Sequence, residues 1–299
     1  MTDPVIGRVV ALATAVCWTG TAIAFENAGK KIGSLSLNLL RLLMAFVFIS
    51  IFLWITRGLP LPLDASAYEW RWLLFSGLIG FCIGDLFLFK AFIVIGSRIS
   101  MLIMSLVPPI TALTGWLIMG ETLTLSNWVG MSLTITGVAI VVLERNKTAD
   151  TESLKHPVSG ILFAFGGAVG QAIGLVLSKV GMGEYNAFAA TQIRIIAGIA
   201  GFALLFSVLR IWPRTLKALK NRSAMRPLTM GAFFGPFLGV SLSLLAVQYI
   251  AVGIASTFMA LVPILIIPPA VIFFKEKITA REVIGAALAV SGIAVLFIQ

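Results

Sequence analysis

Five of the charged residues that stand inside otherwise apolar runs are the ones whose types and depth could do chemistry: Glu26, Arg41, Asp85, Lys90 and Arg194. A charge held deep in an apolar run is costly, so it is there for a partner, a proton or a bound ion. At 1.5 Å per helical residue, Asp85 lies about 15 Å from the end of its run, Arg41 about 10 Å and Lys90 about 7 Å. Glu26 is close to the end of its own. The four ends face the same side, so these side chains share a depth band and can form a network. Asp85 with Arg41 is either an ion pair locking two helices or a carboxylate that exchanges a coupling proton. Lys90 can extend to the interface. Arg194 has no acid at comparable depth in its half of the chain; Glu184, Gln192 and helix carbonyls are its candidate partners. A buried guanidinium lacking a carboxylate is either a clamp for a carboxylate or phosphate or a side chain reaching for the interface. Among the other polar or aromatic residues within runs, Trp18, Thr19, Ser105 and Gln171 lie near mid-span and Gln248 nearer an end, and with Arg194 they are candidate contacts for a bound solute.

The elements that must position these residues follow from composition. Of 299 residues, 59% are hydrophobic and 11% charged, whereas soluble domains carry about 25% charge. Apolar stretches near the 20 residues needed to span a bilayer occur ten times, at 5–27, 34–56, 70–95, 98–119, 125–143, 157–180, 187–210, 228–250, 253–274 and 281–298. Lipid offers no partner for bare backbone amides, so the runs must be helices. The expected fold is an all-α integral membrane protein with ten transmembrane helices. An uncleaved first helix is expected in place of a signal peptide.

The net charge of +10 does not call for nucleic acid, because Lys and Arg gather in short loops. Cys17 and Cys82 fall inside spans and His156, the one histidine, in a loop, so neither a disulfide framework nor a metal site is expected. No phosphate-binding loop appears, and no catalytic group or cofactor site is expected. Fifteen Lys and Arg follow the odd-numbered spans, against four (Arg8, Arg57, Arg71, Lys179) on the other side. That asymmetry places the basic loops in the cytoplasm and both termini outside.

The chain repeats itself. Residues 7–57 match 160–210 at an offset of 153, pairing Gly7 with Gly160, Arg41 with Arg194 and Arg57 with Arg210. Residues 76–142 match 231–297 at an offset of 155, pairing Gly80 and Gly84 with Gly235 and Gly239, Pro108 with Pro263, and Glu121 with Glu276. The reading is a first five-helix repeat at 5–143, a linker loop at 144–156 and a second repeat at 157–298. Five is odd, so the second repeat must enter the membrane inverted, a recurrent design of secondary transporters with the solute site between repeats. Asp85 matches Val240 and Lys90 matches Leu245, so the acid belongs to one half only.

Small residues four apart (Ser76, Gly80, Gly84; Gly231, Gly235, Gly239; Gly166, Gly170, Gly174) lie on single helix faces and allow close packing or rocking. Pro108 and Pro263 should kink spans four and nine near mid-membrane, as plain kinks or as hinges lining a cavity. Thr279 and Glu282 read as a capping box opening span ten. Glu121 and Glu276 follow spans four and nine and suit a structural role there.

The stretches Trp116-Leu-Ile-Met-Gly-Glu-Thr-Leu-Thr with Gly130 and Gly137, and Val271-Ile-Phe-Phe-Lys-Glu-Lys-Ile-Thr with Gly285 and Gly292, resemble the signature of EamA-type proteins of the drug/metabolite transporter superfamily, once per half. The resemblance implies a ten-helix carrier in the cell (inner) membrane, with bacterial members often effluxing amino acids, other metabolites or toxic compounds. It also implies cytoplasmic termini, opposite to the loop charges here. The expected function is a secondary transporter moving a small amino-acid-like metabolite outward by alternating access, with proton coupling through the buried charges. Its partners would be a small-molecule substrate and the lipid bilayer; oligomeric state is open. A membrane-embedded enzyme and a channel are the alternatives; the first needs a convergent nucleophile or carboxylate pair that is not seen, and the second is usually ringed by repeated charges.

Overall fold

Each break in the helices has a local cause. Asp3 accepts the Val5 amide and Pro4 presets the backbone, opening α1 (Pro4–Ile32). Gly33, at φ 80°, is the single residue separating α1 from α2 (Ser34–Arg57), which Gly58 ends in the left-handed region. A Ser66–Glu69 capping box starts α3 (Ala67–Gly77), which continues through a π-helical segment, Leu78–Gly84, into α4 (Asp85–Met104). Then come α5 (Val107–Met119) and α6 (Leu125–Lys147). The second half holds α7 (Val158–Met182), α8 (Ala187–Leu209), α9 (Trp212–Leu219) and α10 (Arg222–Ala232). A second π-helical segment, Phe233–Gly239, leads into α11 (Val240–Tyr249), α12 (Val252–Met259), α13 (Val262–Leu265), α14 (Ile267–Phe274) and α15 (Ala280–Phe297). The expected Thr279–Glu282 box opens α15.

This computed structural model describes residues 3–147, 158–274 and 278–298. Most of the expected linker, with His156, and also Glu276, lie outside them. Among the described residues, every regular element is helical and nine helical runs are long and apolar enough to cross a membrane, with Val107–Met119 a shorter apolar helix. Ten spans in two repeats remain the frame.

Three expectations about boundaries change. Helical hydrogen bonding runs through the turn expected at 96–97, and the break falls at Ser105–Leu106. Span eight begins at Arg222, before the expected 228, and the basic loop ahead of it contains α9. The prolines do more than kink their spans. Each removes an amide and collides with the carbonyl four residues earlier, and those carbonyls belong to Met104 and Met259, the last residues of α4 and α12. A tight turn follows each, Leu106 N–H to Ile103 O at 3.0 Å and Leu261 N–H to Phe258 O at 3.2 Å.

Glycines set the helix pairs. A Cβ on Gly160 would meet Ile95, one on Gly167 Leu88, and one on Gly170 or Gly174 the backbone of Gly84 or Gly80. So α7 runs antiparallel to the stretch from α3 into α4. In the same way α1 runs antiparallel to α10 and α11, with Phe25 beside Gly231, Thr21 beside Gly235 and Trp18 beside Gly239. The first helix of each half thus packs on the third of the other. The last spans, α6 and α15, pack antiparallel on Gly130, Gly137, Gly285 and Gly292.

Arg8 donates to Phe297 O at 2.8 Å, which places both chain ends on one face. On that termini face the halves are cross-linked by polar bonds. Lys179 donates to Glu121 (2.6 Å) and to Ile250 O (2.8 Å), while Glu121 also accepts the Val252 amide (2.9 Å) at the start of α12. Gln192 donates to Ser50 and Pro60 O, both at 2.8 Å. Arg57 pairs with Asp64 and lies over the Tyr185 ring, and Tyr185 donates to Asp64 at 2.9 Å. Burial would raise the Asp64 carboxyl, but the Tyr185 hydroxyl and the Arg57 guanidinium outweigh it and hold it below its ordinary value; burial pushes Tyr185 up to about 12. A carboxyl lowered on folding contributes stability above its unfolded value of about 3.9, and the contribution is lost as pH falls through the folded value. At this exposed staple the contribution is under about 1 kcal/mol. Asp64→Asn is therefore expected to flatten the thermal midpoint's dependence on pH below about pH 4, with little change at neutral pH; an undiminished acid dependence would remove Asp64 from it.

Candidate functional site

Where the two halves meet, a cavity of about 330 Å³ lies among nine of the ten spans, a volume within the range of small-ligand pockets. Much of its lining is made of repeat pairs: Trp18 with Gln171, Arg41 with Arg194, Phe81 with Pro236, Asp85 with Val240, Met104 with Met259, Ser105 with Ala260, and Val107 with Val262. Three of these pairs are identical (Arg41/Arg194, Met104/Met259, Val107/Val262), and the other four share a position in the repeat but differ in chemistry. The charge follows from that difference: two arginines face one acid.

Asp85 stands on the first residue of α4, directly after the π-helical segment, and is buried. One carboxylate oxygen pairs with Arg41 and the other accepts from Gln171 Nε2 at 2.8 Å. Gln171 also donates to Gly80 O at 3.3 Å, tying α7 to the π segment. The two π segments occupy matched positions, 155 residues apart, each just before the Asp85 or Val240 position. Such local rewinding is common at functional sites because it re-aims the residues that follow.

Arg194 is 4% exposed, and its Nε has no hydrogen-bond partner. Its guanidinium lies 4.9 Å from the centroid of the Phe81 ring, and a Cβ on Gly80 would approach its Nη2 to 3.1 Å. Gly80 therefore makes the room that Arg194 occupies. Arg41 lies 5.6 Å from the Phe25 ring centroid, and its Nε is likewise buried without a partner. Faces of aromatic rings hold both cations where water is scarce. Thr21, Ser243 and Ser256 donate to carbonyls of their own helices (Cys17 O 2.9 Å, Val240 O 2.7 Å, Gly253 O 3.0 Å), which leaves their oxygens as acceptors in the cavity wall.

Of the residues expected to contact a solute, Trp18, Ser105, Gln171 and Arg194 line this cavity, joined by Arg41, Asp85 and Pro263. Pro108 is buried next to it. Thr19 is buried with its hydroxyl donating to Ala15 O at 2.9 Å, outside the lining. Gln248 pins the α7–α8 connection through Gly183 O (3.0 Å) and Tyr185 O (2.9 Å). Lys90 is exposed, outside the lining, and Glu26 lies in the last turns of α1. The acid near Arg194 comes from the opposite half, and Gln192 and Glu184 turn elsewhere. Phe81, Phe25, Pro236, Ser243 and Ser256 were not singled out from sequence; for Phe81 and Pro236, their shared repeat position beside the matched glycines was the available signal.

The glycine stripes have two uses. On the first π segment they meet glycines of α7, backbone to backbone. On α10 and the second π segment they seat side chains: a Cβ on Gly239 would lie 2.5 Å from Trp18 Nε1. Glycine there is what lets Trp18 reach the cavity.

No curated protein matches the chain. Among solved structures, one titled only as the crystal structure of a protein superposes with a TM-score of 0.78 at 18% identity, covering 98% of this chain and 96% of its own; that likeness speaks to fold alone. The model of the EamA-like transporter family matches residues 5–143 and again 158–298. With both halves matched, the chain belongs to the EamA-like transporter family, within the drug/metabolite transporter superfamily.

Proposed function

We propose that this protein is a secondary transporter that moves a small, amino-acid-like metabolite out across the cell membrane by alternating access, with its two repeats inserted in opposite orientation and Asp85 as the proton-coupling group. The observation that carries the reading is the cavity between the repeats, where Arg194 is buried with no carboxylate bonded to it among the described residues. A solute carboxylate there would gain a charge-assisted bond that Arg194 otherwise lacks. The hydroxyl oxygens of Ser243, Ser256 and Thr21 in the same lining would serve an ammonium, and the apolar wall accepts a side chain. The bonds joining the halves on the termini face support a conformation sealed on that side, and the broken helices at Pro108 and Pro263 offer the hinge points. The outward direction follows the family resemblance.

Liposome counterflow tests the reading: saturable exchange of labelled solute supports a carrier, whereas currents at channel rates would reject it. Arg194→Gln is expected to weaken carriage of carboxylate-bearing solutes by roughly tenfold or more, the loss of one charge-assisted bond, and to spare neutral ones. Equal loss for both would make Arg194 a structural residue.

A further inference from the structure

The connection between α8 and α10 is not used by the transport site. From residue 210 through the first turns of α10 to 226 this stretch carries six cations (Arg210, Arg214, Lys217, Lys220, Arg222, Arg226) and no acid, and all six are exposed. Within it α9 divides into three sectors. At about 100° per residue, Thr215 and Ala218 share one side and are buried. Trp212, Leu216 and Leu219 share a second and are 37%, 57% and 46% exposed. Arg214, Lys217 and Lys220 occupy the third.

The buried side fixes the helix to the membrane-spanning body. Thr215 Oγ1 lies 3.1 Å from Ser36 Oγ at the start of α2, and Ala218 joins Ile32 and Leu37 in a small apolar cluster. At the other end, Trp212 Nε1 donates to Ser207 at 3.0 Å and its ring edges Phe206 at the end of α8. The helix is thus held where two spans leave the apolar layer. A helix bathed in water has no use for Leu216 and Leu219 standing exposed beside lysines. A helix lying in the interface has one, with leucines toward acyl chains and cations toward headgroups. The corresponding connection of the first half, 58–66, contains no Lys or Arg, and its one acid is paired with Arg57. The feature belongs to one membrane face.

We infer that α9 is an interfacial helix whose cationic side binds the headgroups of anionic phospholipids, with Arg214, Lys217 and Lys220 on the phosphates and Leu216 and Leu219 in the acyl layer. A soluble polyanion would match the charge but leave the leucines uncovered, whereas a lipid covers both sectors. Basic residues beside a membrane are drawn to anionic lipid in this way.

The full-length protein in phosphatidylcholine vesicles, with and without phosphatidylglycerol, tests the site. Wild type, the variant Arg214→Gln/Lys217→Gln/Lys220→Gln and a control, Arg281→Gln, would be compared. Arg281 is an exposed cation on α15 paired with Glu144 of α6. Phosphatidylglycerol is expected to raise the thermal midpoint of wild type and control, and most of the rise should vanish in the triple variant. Native mass spectrometry, which reads only folded protein, should show the apparent affinity for phosphatidylglycerol falling about tenfold or more in that variant. An undiminished rise and unchanged lipid binding in the triple variant would overturn the inference. So would polyglutamate in detergent binding the wild type as tightly as phosphatidylglycerol does, since the face would then serve a soluble polyanion.

Discussion

Asp85→Asn is expected to abolish pH-driven transport while the protein still folds, with a lowered thermal midpoint. Asp85 is the one acid among the described cavity residues; it pairs with Arg41, accepts from Gln171 and lies near Arg194. Removing its charge leaves the buried Arg194 and the largely covered Arg41 in one cavity with no carboxylate between them. Breaking a buried pair from one side costs about 3–5 kcal/mol, because the surviving charge is left uncompensated. Replacing both partners is often far milder, so Asp85→Asn/Arg41→Gln should recover part of the lost midpoint, with Arg194 still lacking its nearby carboxylate. It should not recover transport, since the proton site is still missing. That separation of the two readouts distinguishes a coupling carboxylate from an ion pair that merely locks α2 to α4. Uptake into liposomes under an imposed pH gradient measures the first quantity and thermal unfolding the second. If the single variant kept its pH dependence, Asp85 would be structural and the coupling group would have to be sought elsewhere.

How far such residues can be found from sequence depends on what sequence encodes. Length and apolarity fix the spans, because lipid leaves the backbone no other choice, and the offsets of 153 and 155 fix the repeats. Depth along a helix is also legible: Arg41 and Asp85 were matched by level and do pair. Azimuth is not. Thr19 and Gln248 lie on cavity-forming helices but turn away from the cavity, one to its own helix and the other to a connection. Arg194 finds its nearby acid across the repeat interface, where depth within one half gives no guidance. The π segments were invisible because they are shifts in backbone bonding, and their sequence trace is only the glycines at 80, 84, 235 and 239. The turn expected at Gly96-Ser97 gave way to a break that Pro108 imposes at Ser105–Leu106, since proline blocks the helix behind it more surely than glycine weakens it. Helix α9 is hidden in the sequence because eight residues that mix leucine with Arg214 and Lys217 carry the charge of a basic loop.

The scaffold can be tested as sharply as the site. Gly137→Ala is expected to destabilise the protein strongly, and Gly20→Ala to leave it unchanged or slightly more stable. A Cβ on Gly137 would lie 2.5 Å from both Ala289 N and Gly285 O, so the obstructing atoms are backbone of α15 and cannot rotate aside. One on Gly20 would meet nothing within 4 Å. Overpacking costs about 1–3 kcal/mol where neighbours can adjust, and the upper end or more is expected where they cannot. Lipid supplies no hydrophobic drive to press α6 and α15 together again, because acyl chains are as apolar as the helix faces; the pair holds by close contact alone. At Gly20 the substitution removes only glycine's excess chain entropy, worth roughly 0.5–1 kcal/mol in a helix interior. Thermal midpoints of the two variants decide the matter. Of α6 only Val138 lines the cavity, so the fraction of Gly137→Ala that stays folded should still transport. Equal midpoints for the two variants would mean that the last helices of the repeats do not meet at their glycines.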